Sequence, residues 1–571
     1  MSTIPKLINS IIKKNNICTV FGYSGGSIMP VIDTLYKDKV KLIVNSNEQC
    51  VGHSATAYAK TSNKIGVALV TSGPGITNMI TPMLDATQDS TPLVVISGQV
   101  SLNAVGTNAF QEAPAVDITK HVTKWSYKIK EKDNVSYILN KAFYIANDKK
   151  KGCVHIDIPK CLMNKAIYKV TNYEKIRQRF KQYDFNRIIK LINTSKRPIF
   201  LVGKGCIPAY KLLRTVAKKG NIPVTSTIHG AGIINEYDKL SLGWCGMHGT
   251  EVSNLCIQSS DCIINIGSRF DDRITGNIDS YARNALELQK QNKGGVVHVN
   301  IESSELKKVI DSKYNLNIDS NLFLKKIVDN IEYKSRGVWF NYIDNLKNKY
   351  TEKDSYGDDE LTMKSVLTKL NEMTKHINAK KKLIITTGIG NHQMQTYKYI
   401  KSQYPGTIHS SGSLGVMGSG LPYAIGAKIA NQDKTVILVD GDSSFNMTSS
   451  DLKTIVENNI PVKILIMNNR SQMMVQAWEK MFFDNRITAT ENKINPNFTK
   501  LAESYGIKSI SCDNLQDLRN SIRFILSYRG PILCEFKITN DICFPIVPPG
   551  NGLHQMIHRE EQLQEITVAP S

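Results

Sequence analysis

Short, uninterrupted apolar runs that alternate with helix-length segments are the feature that most constrains the fold of this 571-residue chain. The runs include KIGVALV, TPLVVIS and GCVHIDI early in the chain, and TVILVD and VKILIM near its end. Apolar runs without polar alternation indicate strands buried on both faces, and the helices between them cover those faces. The pattern therefore predicts an α/β fold of doubly wound parallel sheets.

Two polar stretches, 173–183 and 342–359, divide this pattern into three parts. The chain length fits about three domains at roughly 100–200 residues each. We expect an N-terminal domain at 1–165, a central domain at 185–335, a C-terminal domain at 360–540 and a tail at 541–571. No run of about 18 apolar residues occurs, so we expect no membrane span.

The net charge of +22 raises the question of a polyanionic partner. The lysines are scattered beside asparagine and isoleucine, and no basic stretch is interleaved with aromatic residues. Eleven cysteines occur without a C-x-x-C motif, which indicates reduced thiols rather than a zinc cage or a redox pair. We expect no nucleic-acid partner, and a polyanion-binding protein stays as an alternative.

The strongest chemical signal follows two of the late apolar runs. Gly441 and Asp442 come directly after TVILVD, and Asn469 comes after the next run, one helix and one strand later. The carboxyl ends of neighbouring parallel strands lie at one sheet edge, where ligands of open α/β sheets bind. Carboxylate and amide oxygens suit Mg²⁺, and the helix start after Gly441 suits phosphate.

This motif, G-D-S-S-F followed by N-N, resembles the G-D-G…N-N signature of thiamine diphosphate enzymes. Ser443 stands where the signature has glycine. A serine would strain the backbone if φ at this position were positive. Over residues 4–550 the chain is similar to the acetolactate synthases. The similarity includes FGYSGGSIMP, TSGPGITNM and GTNAFQE in the first domain, and GWCGMHGTEVSN and GSRFDDRITGN in the second.

The resemblance implies three cofactors: thiamine diphosphate, Mg²⁺ and FAD. Glu48 would protonate the aminopyrimidine ring, with Gly26 and Gln111 near the reacting centre and Phe110 and Trp478 near the substrate. The resemblance assigns Ile389, Gly390, Asn391, His392, Met417, Gly441, Ser443 and Ser444 to thiamine diphosphate, and Asp442, Asn469 and Ser471 to Mg²⁺. It assigns Lys150, Gly203, Gly205, Met247, His248, Arg269, Asp272, Arg273 and Asn300 to FAD.

The implied reaction is that of a transferase. Pyruvate is decarboxylated on thiamine diphosphate, and its two-carbon unit is joined to pyruvate or 2-ketobutyrate, the first common step toward valine, leucine and isoleucine. FAD is structural because no redox step occurs. The resemblance also implies a homodimer or tetramer, since Glu48 faces a diphosphate held by the partner subunit, and a separate small regulatory subunit.

Two alternatives remain within the same fold. One is another flavin-containing thiamine enzyme, a pyruvate oxidase or a glyoxylate carboligase. The other is a catalytically impaired homologue, which departures from the family pattern at Lys150, Asn391 and Ser443 motivate. The Lys/Asn/Ile bias and the lack of a transit peptide lead us to expect the plastid (chloroplast) stroma, with the bacterial cytoplasm as the alternative.

Overall fold

The computed structural model describes residues 3–167, 171, 173, 182–350 and 360–565. It contains three six-stranded sheets, and every pair of neighbouring strands in them is parallel. Helices lie between the strands in chain order. The predicted class, three doubly wound α/β domains, is confirmed, while the domain boundaries stay predictions.

The N-terminal domain contains the first six strands. They are β1 (Thr19–Gly22), β2 (Lys41–Val44), β3 (Gly66–Val70), β4 (Leu93–Gln99), β5 (Trp125–Lys128) and β6 (Cys153–Pro159). The helices are α1 (Ile4–Lys14), α2 (Met29–Lys37), α3 (Glu48–Ser62), α4 (Pro74–Thr77), α5 (Ile80–Gln88), α6 (Ala115–Thr119) and α7 (Val135–Asn147). The sheet order is β2-β1-β3-β4-β6-β5.

The central domain contains the next six strands. They are β7 (Pro198–Val202), β8 (Val224–Ser226), β9 (Ser241–Trp244), β10 (Cys262–Ile266), β11 (Gly295–Asn300) and β12 (Tyr314–Asn317). The helices are α8 (Phe185–Thr194), α9 (Tyr210–Gly220), α10 (Glu251–Ser259), α11 (Asp272–Thr275), α12 (Arg283–Lys290), α13 (Ser320–Ile327) and α14 (Gly337–Tyr350). The sheet order is β12-β11-β10-β7-β8-β9.

The C-terminal domain contains the last six strands. They are β13 (Leu383–Thr387), β14 (Ile408–His409), β15 (Thr435–Gly441), β16 (Lys463–Asn468), β17 (Lys508–Cys512) and β18 (Ile532–Lys537). The helices are α15 (Met363–Ala379), α16 (Asn391–Tyr399), α17 (Gly420–Ala430), α18 (Asp442–Asn446), α19 (Leu452–Glu457), α20 (Met473–Phe482), α21 (Phe498–Ser504) and α22 (Leu515–Ser527). The sheet order is β14-β13-β15-β16-β18-β17.

The two terminal sheets have the same strand order, and the central sheet has another. Counted from the first strand of each domain, both terminal sheets run 2-1-3-4-6-5. The central sheet runs 3-2-1-4-5-6 when it is viewed from the β9 edge. That order is typical of dinucleotide-binding domains, whose ligands lie where the strand order reverses, between the first and fourth strands.

The predicted linker at 342–359 is wrong in its first part. Residues 342–350 form the end of α14. The polar composition of this stretch hides an amphipathic helix, because Trp339 and Ile343 are spaced one turn apart and both are buried. Residues 351–359, and most of the other polar stretch, 173–183, lie outside the described residues. None of the described helices is long and apolar enough to cross a membrane.

A buried cluster of charges joins the three domains. Asp89 of the N-terminal domain forms ion pairs with Lys60 at 2.6 Å and with His229 of the central domain at 3.0 Å. Its carboxylate also accepts the backbone N–H groups of Gly412 and Ser413 from the C-terminal domain, at 3.2 and 2.9 Å. Burial opposes ionisation, but the His229 and Lys60 charges hold the Asp89 pKa well below its usual range. The cluster fixes the domains relative to one another.

The tail folds back over the central domain. The Val547 N–H donates to the Met247 carbonyl at 2.8 Å. Isolated antiparallel bridges join Gly276 to Gly552 and Ile546 to Ile557. The tail therefore connects the C-terminal domain to the segments that the resemblance assigns to FAD.

Candidate active site at the strand ends

Glu48 lies just beyond the carboxyl end of β2. It is the first residue of α3, and the side chain of Asn47 caps this helix by accepting the Cys50 N–H. Glu48 is buried, and its Oε2 accepts a hydrogen bond from Nδ2 of Asn78 at 2.9 Å. A buried carboxyl with an amide donor has a defined orientation, as proton exchange with a bound ring requires.

The loops after β1, β3 and β4 meet at the same edge of the N-terminal sheet. The hydroxyls of Ser27 and Thr71 lie 2.9 Å apart. Gln111 has a left-handed φ of 61° and packs on Gly73, where an added Cβ would lie 3.0 Å from the Gln111 Cα. An added Cβ at Gly26 would meet no atom within 4 Å, so the backbone there is open to a ligand.

The two predicted substrate residues lie in different domains. Phe110 is 89% exposed. Trp478 is half-buried on α20 and packs on Phe482, with ring centroids 5.3 Å apart. No ring contact joins Phe110 to Trp478 in the part of the chain that the structure describes.

The predicted magnesium ligands lie at two adjacent strand ends. Register pairs Gly441 of β15 with Met467 of β16, so Asp442 and Asn469 follow neighbouring strands. Asp442 is buried, and the Oδ1 of Asn469 accepts the Ser471 N–H at 3.2 Å. The described residues contain no group of three or more His, Cys, Asp or Glu side chains that could hold a metal ion by themselves. This oxygen set instead combines one carboxylate with amide, hydroxyl and backbone oxygens, which Mg²⁺ accepts.

Ser443 is accommodated without backbone strain. It is absent from the non-glycine residues that have a positive φ in the described ranges. Its hydroxyl accepts a hydrogen bond from Nδ2 of Asn492 at 2.6 Å. The penalty that a serine would carry in the left-handed region therefore does not arise.

Sequence reasoning missed two asparagines around Asp442. Nδ2 of Asn492 and Nδ2 of Asn495 both donate to Oδ2 of Asp442, at 2.9 and 2.6 Å. Asn495 also donates to Oδ1 of Asn468 at 3.1 Å. Burial raises the pKa of Asp442, and the two amide donors oppose that rise. The asparagine-rich segment ENKINPNF is the only signal in the sequence for this contact.

The predicted diphosphate residues lie at the start of α16, next to β13. Gly390 is the N-cap, with a φ of 146° that favours glycine, and it follows the half-buried Ile389. Nε2 of His392 lies 3.2 Å from Oδ1 of Asp440. A nine-residue helix that begins with these residues suits diphosphate oxygens.

The side chain of Asn391 is engaged elsewhere. Its Nδ2 donates to the Asp541 carbonyl, and its Oδ1 accepts the Cys543 N–H at 2.9 Å. Asn391 therefore holds the start of the tail against α16. Any contact that this residue makes with diphosphate involves its backbone rather than its amide.

Met417, Gly441 and Ser444 lie on converging loops. Met417 is half-buried, unlike a core methionine, and the next N–H, that of Gly418, donates to Oγ of Ser444 at 3.0 Å. A Cβ added to Gly441 would lie 2.8 Å from Nδ1 of His392. The structure thus brings the strand-end loops that hold Met417, His392, Gly441 and Ser444 together.

Glycines join the two central strand ends of the middle sheet. Gly203 and Gly205 follow β7, and the Gly205 N–H donates to the Gly267 carbonyl, after β10, at 2.9 Å. A Cβ added to Gly203 would lie 2.6 Å from the Gly267 oxygen, and one added to Gly205 would lie 2.8 Å from the Gly267 Cα. These loops follow the first and fourth strands of the domain, the crevice where dinucleotides bind in this topology.

Met247 and His248 follow β9, and Arg273 lies on α11, after β10. The Met247 N–H donates to the Arg273 carbonyl at 2.7 Å. Burial, and to a smaller extent the Arg273 charge, lowers the pKa of His248 to about 4. Nδ1 of His248 is buried and has no hydrogen-bond partner among the described residues. A buried polar atom without a partner is consistent with a ligand that completes it.

The other predicted flavin residues have varied surroundings. Arg269 donates to the Ser413 hydroxyl of the C-terminal domain at 2.9 Å, and Asn300 donates to the Ser268 carbonyl at 3.3 Å. The Asp272 side chain is exposed. Lys150 forms an ion pair at 2.7 Å with Glu305 of the central domain. The positive charge of Lys150 is therefore already paired with a carboxylate.

Comparison with known proteins matches each of the three domains. The N-terminal TPP binding domain of thiamine pyrophosphate enzymes matches residues 3–120, the central domain matches 185–327, and the C-terminal TPP binding domain matches 388–536. The chain is 36% identical over 582 residues to the "Acetolactate synthase catalytic subunit, mitochondrial" of Saccharomyces cerevisiae, covering 98% of this chain and 84% of that protein.

The chain belongs to the acetolactate synthase family. Further members are the "Acetolactate synthase large subunit" of Cyanidium caldarium, 35% identical over 98% of this chain and 97% of the relative, and the "Probable acetolactate synthase large subunit" of Methanococcus aeolicus, 34% identical over 94% and 92%. Because the alignments cover nearly the whole chain, the similarity to acetolactate synthases extends over all three domains.

Proposed function

We propose that this chain is a transferase that decarboxylates pyruvate and joins the two-carbon unit to pyruvate or 2-ketobutyrate. The observation that carries the proposal is the pair of strand-end sites. A buried glutamate lies at the edge of one terminal sheet, and a buried aspartate with amide and backbone oxygens lies at the edge of the other. Family membership favours this reaction over pyruvate oxidation, glyoxylate carboligation and an impaired homologue.

Glu48 would exchange a proton with the aminopyrimidine ring of thiamine diphosphate. Thiamine diphosphate, when bound, supplies the carbanion chemistry that cleaves and forms carbon–carbon bonds next to a carbonyl. Glu48 presents one carboxyl oxygen to Asn78, which orients the group. The open backbone at Gly26 and the loop around Gln111 leave room for the substrate beside it.

Asp442, Asn469 and Ser471 would hold Mg²⁺, and the start of α16 would hold the diphosphate oxygens. The donor set fits the ion because hard oxygen ligands predominate at both strand ends. The loops that hold Met417 and Ser444 meet beside this site, and both residues would contact the cofactor there. In this proposal the protein contributes binding and orientation of the diphosphate.

The central domain would bind FAD in a structural role. Three observations support this: the strand order 3-2-1-4-5-6, the close glycine contact at the order reversal, and the unpaired Nδ1 of His248. The reaction transfers no electrons between substrate and flavin, so the role of the flavin would be structural. It would pack against the segments that hold Met247 and Arg273. Asn300 and Arg269 would line the same crevice.

The proposal includes assembly into a homodimer or tetramer and a small regulatory subunit. The 89% exposure of Phe110 and the open space at Gly26 support a partner chain over the Glu48 corner. The relatives' names "catalytic subunit" and "large subunit" support a separate smaller partner. We also propose an organellar location, the plastid stroma, which the compositional bias and the mitochondrial and algal relatives support.

The decisive experiment measures acetolactate made from pyruvate by the purified protein. Thiamine diphosphate, Mg²⁺ and FAD are omitted in turn, with oxygen uptake followed in parallel. We expect product formation that requires all three cofactors, with no stoichiometric oxygen uptake. Oxygen consumption matched to pyruvate would instead identify an oxidase. Bound cofactor without any product would identify an impaired homologue.

A further inference from the structure

A short segment after α20 crosses the proposed metal site at the ends of β15 and β16. Residues 488–495, here called the strap, are anchored by Glu479 of α20. The Glu479 carboxylate accepts the Thr488 N–H at 2.8 Å and the hydroxyls of Thr488 and Thr490 at 3.1 and 2.5 Å. Three hydrogen bonds to one buried carboxylate hold the start of the strap against the helix.

The strap then pairs with the segment that carries the proposed metal ligand Ser471. The Gln472 N–H donates to the Thr490 carbonyl and the Asn492 N–H donates to the Arg470 carbonyl, each at 2.8 Å. An antiparallel bridge joins Ser471 to Glu491. The strap is therefore hydrogen-bonded to the segment that follows the β16 strand end.

The far end of the strap reaches the other strand end. Asn492 and Asn495 both donate to the same carboxylate oxygen, Oδ2 of Asp442. Asn492 donates in addition to the Ser443 hydroxyl, and Asn495 donates to Asn468. Two amide donors on one oxygen fix the rotation of the carboxylate.

We propose that Asn492 and Asn495 are positioning residues for the metal site, holding the Asp442 carboxylate in the orientation that binds the ion. Ser443 takes part by accepting from the same amide as Asp442, so Ser443 and Asn492 work as a pair. The inference rests on the proposed function, because it needs Asp442 to bind a divalent cation. Groups that orient metal ligands typically change metal affinity by about 10–100-fold when they are removed.

The test titrates the full-length protein with Mn²⁺ in the presence of thiamine diphosphate and follows the free-ion signal by electron paramagnetic resonance. We expect Asn492→Ala and Asn495→Ala to weaken Mn²⁺ binding by about 10-fold or more, since each removes a donor to Asp442. The matched control is Ile494→Ala, which removes a 90% exposed side chain from the same strap. We expect its affinity to stay within about twofold of wild type, since it removes no such donor.

Asp442→Ala distinguishes a failure of the proposed metal site from a failure of the proposed positioning role. If the wild type binds Mn²⁺ no better than Asp442→Ala, the metal site itself is refuted and the inference falls with it. If Asp442→Ala loses the ion but both asparagine variants bind it like Ile494→Ala, only the positioning role is refuted. Thermal melts without metal verify folding, and a leucine variant at the same position (Asn492→Leu or Asn495→Leu), similar in volume and without a donor, replaces an alanine variant that unfolds.

Pairing of Ser443 with Asn492 has its own readout. Ser443→Gly should weaken Mn²⁺ binding a few-fold in the wild-type background and change it little in the Asn492→Ala background. This non-additivity is expected of residues that share one hydrogen-bond donor. Equal losses in both backgrounds would show that Ser443 acts independently of the strap.

Discussion

The N-terminal and C-terminal sheets share one strand order, but different side chains follow equivalent strands. In the C-terminal sheet the acid, Asp442, follows the third strand, whereas Thr71 and Ser72 follow the third strand of the N-terminal sheet. In the N-terminal sheet the acid, Glu48, lies beyond the second strand, whereas Ser410 follows the second strand of the C-terminal sheet. One topology therefore presents two different chemical groups at corresponding edges.

This difference teaches that the fold supplies a location and the loop residues supply the chemistry. The proposed proton-exchanging group, Glu48, and the proposed metal-binding group, Asp442, lie at separate sheet edges, so each has its own set of hydrogen-bond donors. Glu48 has one amide donor on its carboxyl, and Asp442 has two. The central domain, with another strand order, instead has glycines at its central strand ends.

The largest effects are expected from one variant in each of the two terminal domains. Glu48→Gln should reduce acetolactate formation by about 100-fold or more, since general acid–base groups contribute about 10²–10⁴-fold. The variant should still bind thiamine diphosphate and Mn²⁺. Asp442→Ala should lose Mn²⁺ binding together with activity. Steady-state rates and Mn²⁺ titrations measure both variants, and Glu131→Gln on the surface of the first domain is the control.

If Glu48→Gln lost metal binding as Asp442→Ala does, the two edges would not be chemically separate. If both variants kept full activity, neither strand end would contain the reacting centre. Each of these outcomes would contradict the division of roles between the two sheets.

The charge cluster that joins all three domains provides the next largest effect. Asp89→Ala leaves Lys60 buried without its carboxylate, and removing one partner of a buried pair typically costs about 3–5 kcal/mol. We expect a clear fall in the free energy of unfolding, measured by denaturant titration. Asp117→Ala, which removes an exposed carboxylate paired with Lys120, should change it by less than about 1 kcal/mol.

The same cluster predicts a pH dependence with a definite sign. The folded-state pKa of Asp89 is depressed, so its contribution is fully present above its unfolded pKa and is lost as the pH falls through the folded value. Wild type should lose stability toward strongly acidic pH, and Asp89→Ala should show a smaller loss over that window. Parallel slopes for the two proteins would contradict the assignment.

The comparison between terminal and central domains is sharpened by Gly205→Ala. The added Cβ would lie 2.8 Å from the Gly267 Cα, so the two loops must separate. We expect FAD affinity, measured from flavin absorbance after gel filtration, to fall by roughly 10-fold, because overpacking forces backbone shifts that cost about 1–3 kcal/mol. Mn²⁺ binding at the C-terminal edge should be unchanged. The control is Gly337→Ala, whose added Cβ would meet no atom within 4 Å. Gly506→Ala is unsuitable because Gly506 has a positive φ.

The smallest effect is expected at Lys150. Its ion pair with Glu305 is partly exposed, with 29% of the lysine side chain accessible, so the pair is worth about 0–1 kcal/mol. Lys150→Met should change FAD affinity and melting temperature only slightly. A large loss of flavin would show that Lys150 contacts the cofactor directly instead of pairing with Glu305. Lys308→Met, which removes an exposed lysine near the same glutamate, is the matched comparison.

Much of this protein was determined by its sequence alone. Continuous apolar runs dictated three parallel sheets, because strands buried on both faces leave no polar alternation. The spacing of Asp442 and Asn469 predicted adjacent strand ends, which the β15–β16 register has. Glu48 was identifiable because it lies between a strand and a helix and matches the pattern of the family that the sequence resembles.

The hydrogen-bond and ion-pair partners of the site residues depend on contacts between segments that are distant in the sequence. Asn492 and Asn495 reach Asp442 from about 50 residues away, Asn391 binds the tail, and Lys150 is paired with Glu305. The strand order of the central sheet and the helical state of 342–350 likewise depend on packing between distant segments. The physical reason is that periodicity encodes which face of an element is buried, whereas a hydrogen-bond partner is fixed only when separate elements pack together.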